Sequence, residues 1–294
     1  MNLLYDIAGV SKQALHQHNT RQMQEHVCET LLLEQADAIR AQHPKEGCRK
    51  MGRDLSHSGW GRDKVEALLL NNGYRVFYKP NFIKTTHRQQ IYHYDNLIEG
   101  MELKSINKVI QTDITYFRVK ELFFYLTFMI DVYSRRIVGY AVSKTLEASA
   151  NLHALRMLLR TRKAYDLTGM IHHSDKGSQY IDLEYTSLLN QNHIRISMCD
   201  EPWKNAYTER INRTIKEEYL DEWNITDYYG LKQAVKRAVS HYNHKRPHQS
   251  LKWKSPIQFE AIVENLPEEQ RPITCIYKAS AELSTKTNVN CKRK

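Results

Sequence analysis

The run His172-His173-Ser174-Asp175-Lys176-Gly177-Ser178-Gln179-Tyr180 decides how the rest of the chain is read. The apolar Gly169-Met170-Ile171 before it suits a short buried strand, and Lys176-Gly177-Ser178 after the acid is turn chemistry. Asp175 is therefore expected at a strand end, on a sheet edge. Upstream, Val109-Ile110-Gln111-Thr112-Asp113-Ile114-Thr115-Tyr116-Phe117 is rich in β-branched and aromatic residues and reads as a strand, with Asp113 charged where the pattern calls for an apolar side chain. Downstream, Asn205 to Lys216 has helical spacing and carries Glu209. Two strand acids and one helix acid are able to meet and hold a metal ion.

Taken singly, each acid has a plainer explanation. Asp113 suits a buried hydrogen-bonded carboxylate, Asp175 the first residue of a turn, and Glu209 a solvated helix position. The helix itself is more informative: Tyr207, Ile211, Ile215 and Tyr219 form one apolar stripe, while Glu209, Arg213 and Lys216 share the other side. Arg213 either pairs with Glu209 four residues away or joins Lys216 in holding a DNA phosphate beside the acids. Mg²⁺ takes hard oxygen ligands, and two such ions can serve both the attacking and the leaving oxygen of a phosphodiester. With water as nucleophile the product is a nick; with a 3′-hydroxyl it is a joined strand. Asp131 ends the next strand and reads as a turn residue, and His172 and His173 read as structural histidines rather than ligands.

Composition points the same way. The chain has 294 residues, with 43 Lys plus Arg against 33 Asp plus Glu, a net charge of +10 spread along its length. A polyanionic partner fits that balance, as does a merely basic soluble protein. No apolar run reaches the ~18 residues of a membrane span, and Met1-Asn2-Leu3-Leu4-Tyr5-Asp6 lacks the basic start of a signal peptide, so a cytoplasmic location is expected. The five cysteines are scattered without a Cys-x-x-Cys pair. A disulfide framework is not expected, and His16, His18, Cys28 and Cys48 fit no common zinc spacing.

The expected architecture is α/β, with a small all-α, helix-turn-helix-like region (1–80) ahead of a mixed five-stranded sheet with flanking helices (105–225). Residues 1–22 are Gln/His/Asn-rich with uncertain order, Met23 to Arg40 is helical, and two short helices follow near 47–55 and 63–71 around Ser58-Gly59-Trp60-Gly61. Arg49, Lys50, Arg53, Arg62 and Lys64 on this pair face either DNA or solvent. A polar linker (81–104) leads to strands at 109–117, 122–132 and 136–142 in an antiparallel meander, then a helix at 147–163. The strand ending at Asp175, a helix through Leu188, a strand at 195–198 and the Glu209 helix complete the series. Three strands, then helix, strand, helix, strand and helix is the element order of the ribonuclease H-like fold. A helical extension (226–263) with Leu231, Val235, Val239 and Tyr242 inward is expected to pack on the core, and a loosely ordered tail (264–294) to follow.

Five runs together carry a family resemblance: Gln111-Thr112-Asp113-Ile114-Thr115-Tyr116, Asp131-Val132-Tyr133-Ser134-Arg135-Arg136-Ile137-Val138-Gly139, His173 to Tyr180, Asn205-Ala206-Tyr207-Thr208-Glu209, and Tyr242-Asn243-His244-Lys245-Arg246-Pro247-His248-Gln249-Ser250-Leu251, closed by Ser255-Pro256. They resemble the OrfB-type DDE transposases of the IS-three family of bacterial insertion sequences, whose catalytic core is of the retroviral-integrase kind. The resemblance implies catalytic and metal-holding roles for Asp113, Asp175 and Glu209, Mg²⁺ or Mn²⁺ as cofactor (two ions), and transposon-end and target DNA as substrate. Lys176, Lys245 and Arg246 join Arg213, Lys216 and the helical-region cations Arg49, Lys50, Arg62 and Lys64 as candidate DNA contacts. It further implies an upstream-frame transposase protein or a fusion with it, homo-oligomers on DNA, and a bacterial, nucleoid-associated setting. One departure stands out: 33 residues separate Asp175 from Glu209, slightly fewer than the family's usual spacing, with the shortfall in Cys199-Asp200-Glu201-Pro202-Trp203-Lys204 and Glu201 as a competing acid. A structure-selective nuclease on the same fold would share the three acids, a DNA-binding relic would tolerate losing one, and a tyrosine recombinase would need an Arg/His cluster around a tyrosine that the sequence lacks.

Overall fold

The computed structural model describes residues 11–56, 59–77, 94–199 and 205–276. Two compact units divide the chain: residues 1–83 with 217–222, and residues 84–216 with 223–294. Most of the expected linker, Ser58 of the expected turn, the loop acid Glu201 and the last part of the expected tail lie outside the described residues.

The first unit is helical. Helix α1 (Lys12–Gln42) runs unbroken through the stretch whose order the polar composition left uncertain, because the Ser11 side chain caps it by accepting the Ala14 N–H at 3.0 Å. Helices α2 (Cys48–Asp54) and α3 (Arg62–Asn71) follow. Leu32 and Ala36 of α1 meet Met51, Trp60, Val65 and Leu69 in a small core. A Cβ at position 52 would lie 3.1 Å from the Arg62 carbonyl oxygen, so Gly52 is what lets α2 and α3 come this close. In the same unit the His43 ring is fully buried between Glu46 and Glu218, 3.1 and 2.8 Å from its two nitrogens, and stacks on Tyr219.

The second unit holds strands β1 (Glu102–Leu103), β2 (Val109–Val119), β3 (Leu122–Asp131) and β4 (Ile137–Ser143), helix α4 (Ala148–Thr161), strand β5 (Ile171–Asp175), helix α5 (Leu183–Gln191), strand β6 (Arg195–Cys199), helices α6 (Ala206–Glu218, its last two residues grouped with the first unit), α7 (Tyr228–His244) and α8 (Pro256–Glu264), and strand β7 (Thr274–Cys275). The main sheet has the order β4-β3-β2-β5-β6. β2, β3 and β4 pair antiparallel, while β5 pairs parallel to β2 and to β6. A three-stranded meander extended by two parallel strands through helical crossovers is the ribonuclease H-like arrangement, as the element order predicts. Ile110, Met129, Leu155, Leu158, Tyr185 and Met198 fill the layer between sheet and helices α4 and α5. Gly139 sets the spacing of that layer, since a Cβ there would stand 2.3 Å from the Ala154 carbonyl oxygen.

The edge of β4 is covered by α7. Asn243 donates to the Ile137 carbonyl at 2.9 Å and accepts the Ile137 N–H at 3.0 Å, so its amide substitutes for a neighbouring strand. Two expectations about order change. Residues 94–104, assigned to a linker, contribute buried Ile98 and Leu103 to a cluster with Tyr133, Phe259, Val263 and Ile276. Residues 264–276, assigned to a loosely ordered tail, include β7, which pairs with β1 through Glu102↔Cys275 and Leu103↔Thr274. Two-residue strands are too short to show a period, which is why neither was visible.

Candidate active site

Register brings the first two acids together. The last paired residues of the parallel β2–β5 ladder are Gln111 and His173. Asp113 and Asp175 each stand two residues further along, so both point to the same face where the strands part. Asp113 is half-buried, and Asp175 sits at the exposed end of β5. The Gly177 N–H lies 3.2 Å from Asp175 Oδ1, so the turn predicted after the acid folds back onto it.

Helix α6 supplies the third acid and a set of polar struts. Asn205 donates to the Thr112 carbonyl at 2.9 Å, Asn212 to Asp113 Oδ2 at 2.7 Å, and Lys216 to Thr115 Oγ1 at 2.9 Å. Residues 205, 212 and 216 fall on one side of a helix, so α6 is bonded along β2 on both sides of Asp113. Ile211, Ile215 and Tyr219 are buried, as the apolar stripe predicts. Asn205 and Asn212 were not singled out in the sequence. The available signal was Asn212 three residues beyond Glu209, on the same helical side.

Burial disfavours charge on all three acids of this edge. Burial pushes the Asp113 carboxyl up to about 8, helped by the charges of Asp175 and Glu209 and opposed by the Ile114 N–H and Asn212. The protein around Asp175 raises its pKa against the Gly177 N–H, and Glu209 is raised by its surroundings against the charge of Arg213. Asp113 therefore feels the charge of both other acids, and three carboxylates are the donor type a hard divalent cation takes. Among the described residues, no three His, Cys, Asp or Glu side chains stand close enough to form a ready-made metal cage. The exposed Glu209 side chain, one turn from Asn212, is the one with room to swing in.

Burial also raises the carboxyl of Asp131, at the end of β3, but there the charge of Arg162 and backbone N–H groups oppose it. Asp131 is fully buried and accepts N–H groups from Asn107 at 2.7 Å and from Tyr133 and Ser134 at 3.0 Å each. That is the turn role its sequence suggests, and Arg162 stands 3.6 Å away. Arg162 in turn donates to Glu260 of α8, which also takes Arg136 at 2.5 Å and the Ser134 hydroxyl at 2.7 Å. Burial opposes charge on Glu260, yet the Arg162 and Arg136 contacts hold its pKa below the usual range. His172 meets the Tyr185 hydroxyl at 2.8 Å and His173 the Ser197 hydroxyl at 2.8 Å, and burial pushes His172 down to about 3.

The candidate DNA-contacting cations fall into two groups. Arg49, Arg213 and Lys245 are exposed. Contacts within the protein hold Lys216 to Thr115, Lys50 to Glu218 at 3.8 Å, Arg62 to Asp63, and Lys64 to Glu25 at 3.0 Å and the Trp60 ring. Arg246 is half-buried near His248 and the Tyr242 ring, and Lys176 is half-buried beside Asp175.

A mixed five-stranded sheet with acids at the β2 and β5 edge defines an integrase-type core, and comparison with known proteins agrees. Two Integrase core domain models match, over residues 104–202 and 192–256. The chain belongs to the insertion-sequence transposases built on that domain. It is 35% identical over 157 residues to the transposase of insertion sequence IS904 from Lactococcus lactis, a match covering 52% of this chain and 61% of that protein. It is 29% identical to the IS629 transposase of Shigella sonnei, covering 69% and 70%, and 27% identical to the InsF transposase of IS3A from Escherichia coli, covering 82% and 85%. Among solved structures, the HTLV-2 integrase catalytic core domain in complex with magnesium is 17% identical, with a TM-score of 0.40, covering 56% of this chain and 99% of that one. No helix among the described residues is long and apolar enough to cross a membrane.

Proposed function

We propose that this chain is a DDE-type polynucleotidyl transferase that cuts and joins DNA at the ends of an insertion sequence. The observation that carries the reading is Asp113: a half-buried carboxyl raised to about 8 by burial and by the charges of two further acids, its side-chain partner being the neutral amide of Asn212. A group so unfavourable to ionise is what a fold retains when a divalent ion is to complete the site. Asp113, Asp175 and Glu209 would hold two Mg²⁺ or Mn²⁺ ions, which when bound supply Lewis-acid polarisation of the phosphodiester and of the attacking oxygen.

The chain's own residues do the positioning. Asn212 orients the Asp113 carboxylate through Oδ2, the Gly177 N–H orients Asp175, and the Asn205 and Lys216 bonds fix α6, and so Glu209, against β2. Arg213, exposed next to Glu209 on α6, is the cation best sited to take a DNA phosphate. In the first step water attacks the phosphorus, a new P–O bond forms and the P–O3′ bond at the element boundary breaks, leaving a 3′-hydroxyl and a 5′-phosphate. In the second that hydroxyl attacks a target phosphodiester, one P–O bond forming as another breaks, without a covalent enzyme intermediate.

In this reading residues 105–225 do the chemistry, 226–263 support the core together with the paired segments 94–104 and 264–276, and the helices of 1–80 approach DNA through Arg49 and its neighbours. An upstream-frame protein, free or fused, supplies end recognition, and the active form is a homo-oligomer bringing two ends together. The test is cleavage and joining of labelled DNA carrying the element's own ends, with the upstream protein present, in Mg²⁺ or EDTA. Joined product from the wild type in Mg²⁺, and none from Glu209→Gln, is expected; equal product from Glu209→Gln or in EDTA would refute the assignment, and nicking without joining would make the enzyme a nuclease.

A further inference from the structure

Helix α1 has two apolar sides. Leu32 and Ala36 face α2 and α3 and are buried, while Met23, Val27 and Leu31 are 74%, 54% and 53% exposed. At 100° per residue, Met23 lies opposite Leu32 and Val27 opposite Ala36, nine residues on in each case. Every residue from Lys12 to Val27 is solvent-exposed, about 24 Å of helix. That stretch includes His16, His18, Asn19, Thr20 and His26, all poor helix formers, and a segment of this length and composition is marginal in water by itself. The Met23–Val27 side of this stretch is uncovered.

We infer that this side is covered by α1 of a second copy, packed antiparallel. Charge along that side is polarised: Lys12 and His16 stand at its beginning, Glu34 at its end, and Met23 and Val27 between them. All five positions project to the same side of the helix. An antiparallel copy sets Lys12 and His16 of each chain against Glu34 of the other, with the Met23 and Val27 side chains interleaved at the centre. A parallel copy would put like charge on like. The wider helix has the same asymmetry, with Lys12 and Arg21 and no acid before residue 25, then Glu25, Glu29, Glu34 and Asp37 against Arg40 alone. This surface is independent of the chemistry assigned to Asp113.

The test is sedimentation equilibrium of the full chain. Wild type is expected to dimerise, with Met23→Glu combined with Val27→Glu weakening the dimer by about tenfold or more. Lys12→Glu alone and Glu34→Lys alone should each weaken it, and the two together in one chain should restore it, because both new charges meet their opposites only when the helices run antiparallel. Helix content by circular dichroism should fall as the dimer dissociates. A monomeric wild type, which would leave this side to the upstream protein, overturns the inference. A dimer indifferent to the Met23/Val27 change overturns the surface, and a double charge swap that fails to restore overturns the orientation.

Discussion

Two groups of acids, each with one member on the main sheet or its edge and one on a helix, are both pushed up by burial at their sheet aspartates but differ in the cations that face them. At the end of β3, Asp131 and Glu260 are buried against Arg162 and Arg136, with backbone N–H groups and the Ser134 hydroxyl completing their bonds. At the β2–β5 edge, burial and the charges of Asp175 and Glu209 raise Asp113 to about 8 against the Ile114 N–H and the Asn212 amide. The first group is neutral as a whole without help. In the second, Arg213 opposes the charge of Glu209, while the polar groups bonded to Asp113 among the described residues are neutral.

The largest expected effect comes from breaking the compensated group. Arg162→Met strands Asp131 and Glu260 in the interior and should cost about 3–5 kcal/mol, read as a fall of roughly 10 °C in melting temperature. The opposite holds at the other edge: without metal, Asp113→Asn should raise the melting temperature. The sign follows from the raised carboxyl. Between about pH 4 and pH 8 the folded protein keeps a proton that the unfolded chain releases, so stability falls as pH rises through that window. Asp113→Asn should flatten the fall, with a gain of a few °C at pH 8 and little at pH 4. Asn212→Ala should act in between, since losing a bond that favours the charged form pushes Asp113 further up and moves the steep part of the pH profile to higher pH. The smallest effect is Lys216→Met, about 1 kcal/mol for the lost bond to Thr115. A larger loss in DNA binding than in stability would give Lys216 a phosphate as well as a strut.

Much of this was legible beforehand. β-Branched and aromatic content marked β2, a long apolar run marked β3, Gly and Lys in the turn marked the end of β5, and the stripe Ile211, Ile215, Tyr219 oriented α6. What stayed hidden depends on partners distant in sequence. Asn212 reads as an ordinary helix polar residue until α6 is laid on β2, and Glu260 as a surface acid until Arg162 arrives 98 positions away. Asp131 looked like a turn residue and is one, but its buried arginine could not be read from a turn. The pairing of β1 with β7 joins segments 173 residues apart that are each too short to carry a pattern.

The claim that the β2–β5 edge is built for metal is tested most directly by binding rather than turnover. Titration of Mn²⁺ into the full chain by calorimetry, in two buffers of different ionisation heat, reports both stoichiometry and protons released. Two ions bound to the wild type, with proton release at pH 7 that disappears together with the binding in Asp113→Asn, is the predicted result. Equal binding by Asp113→Asn, or binding with no proton released, would contradict it.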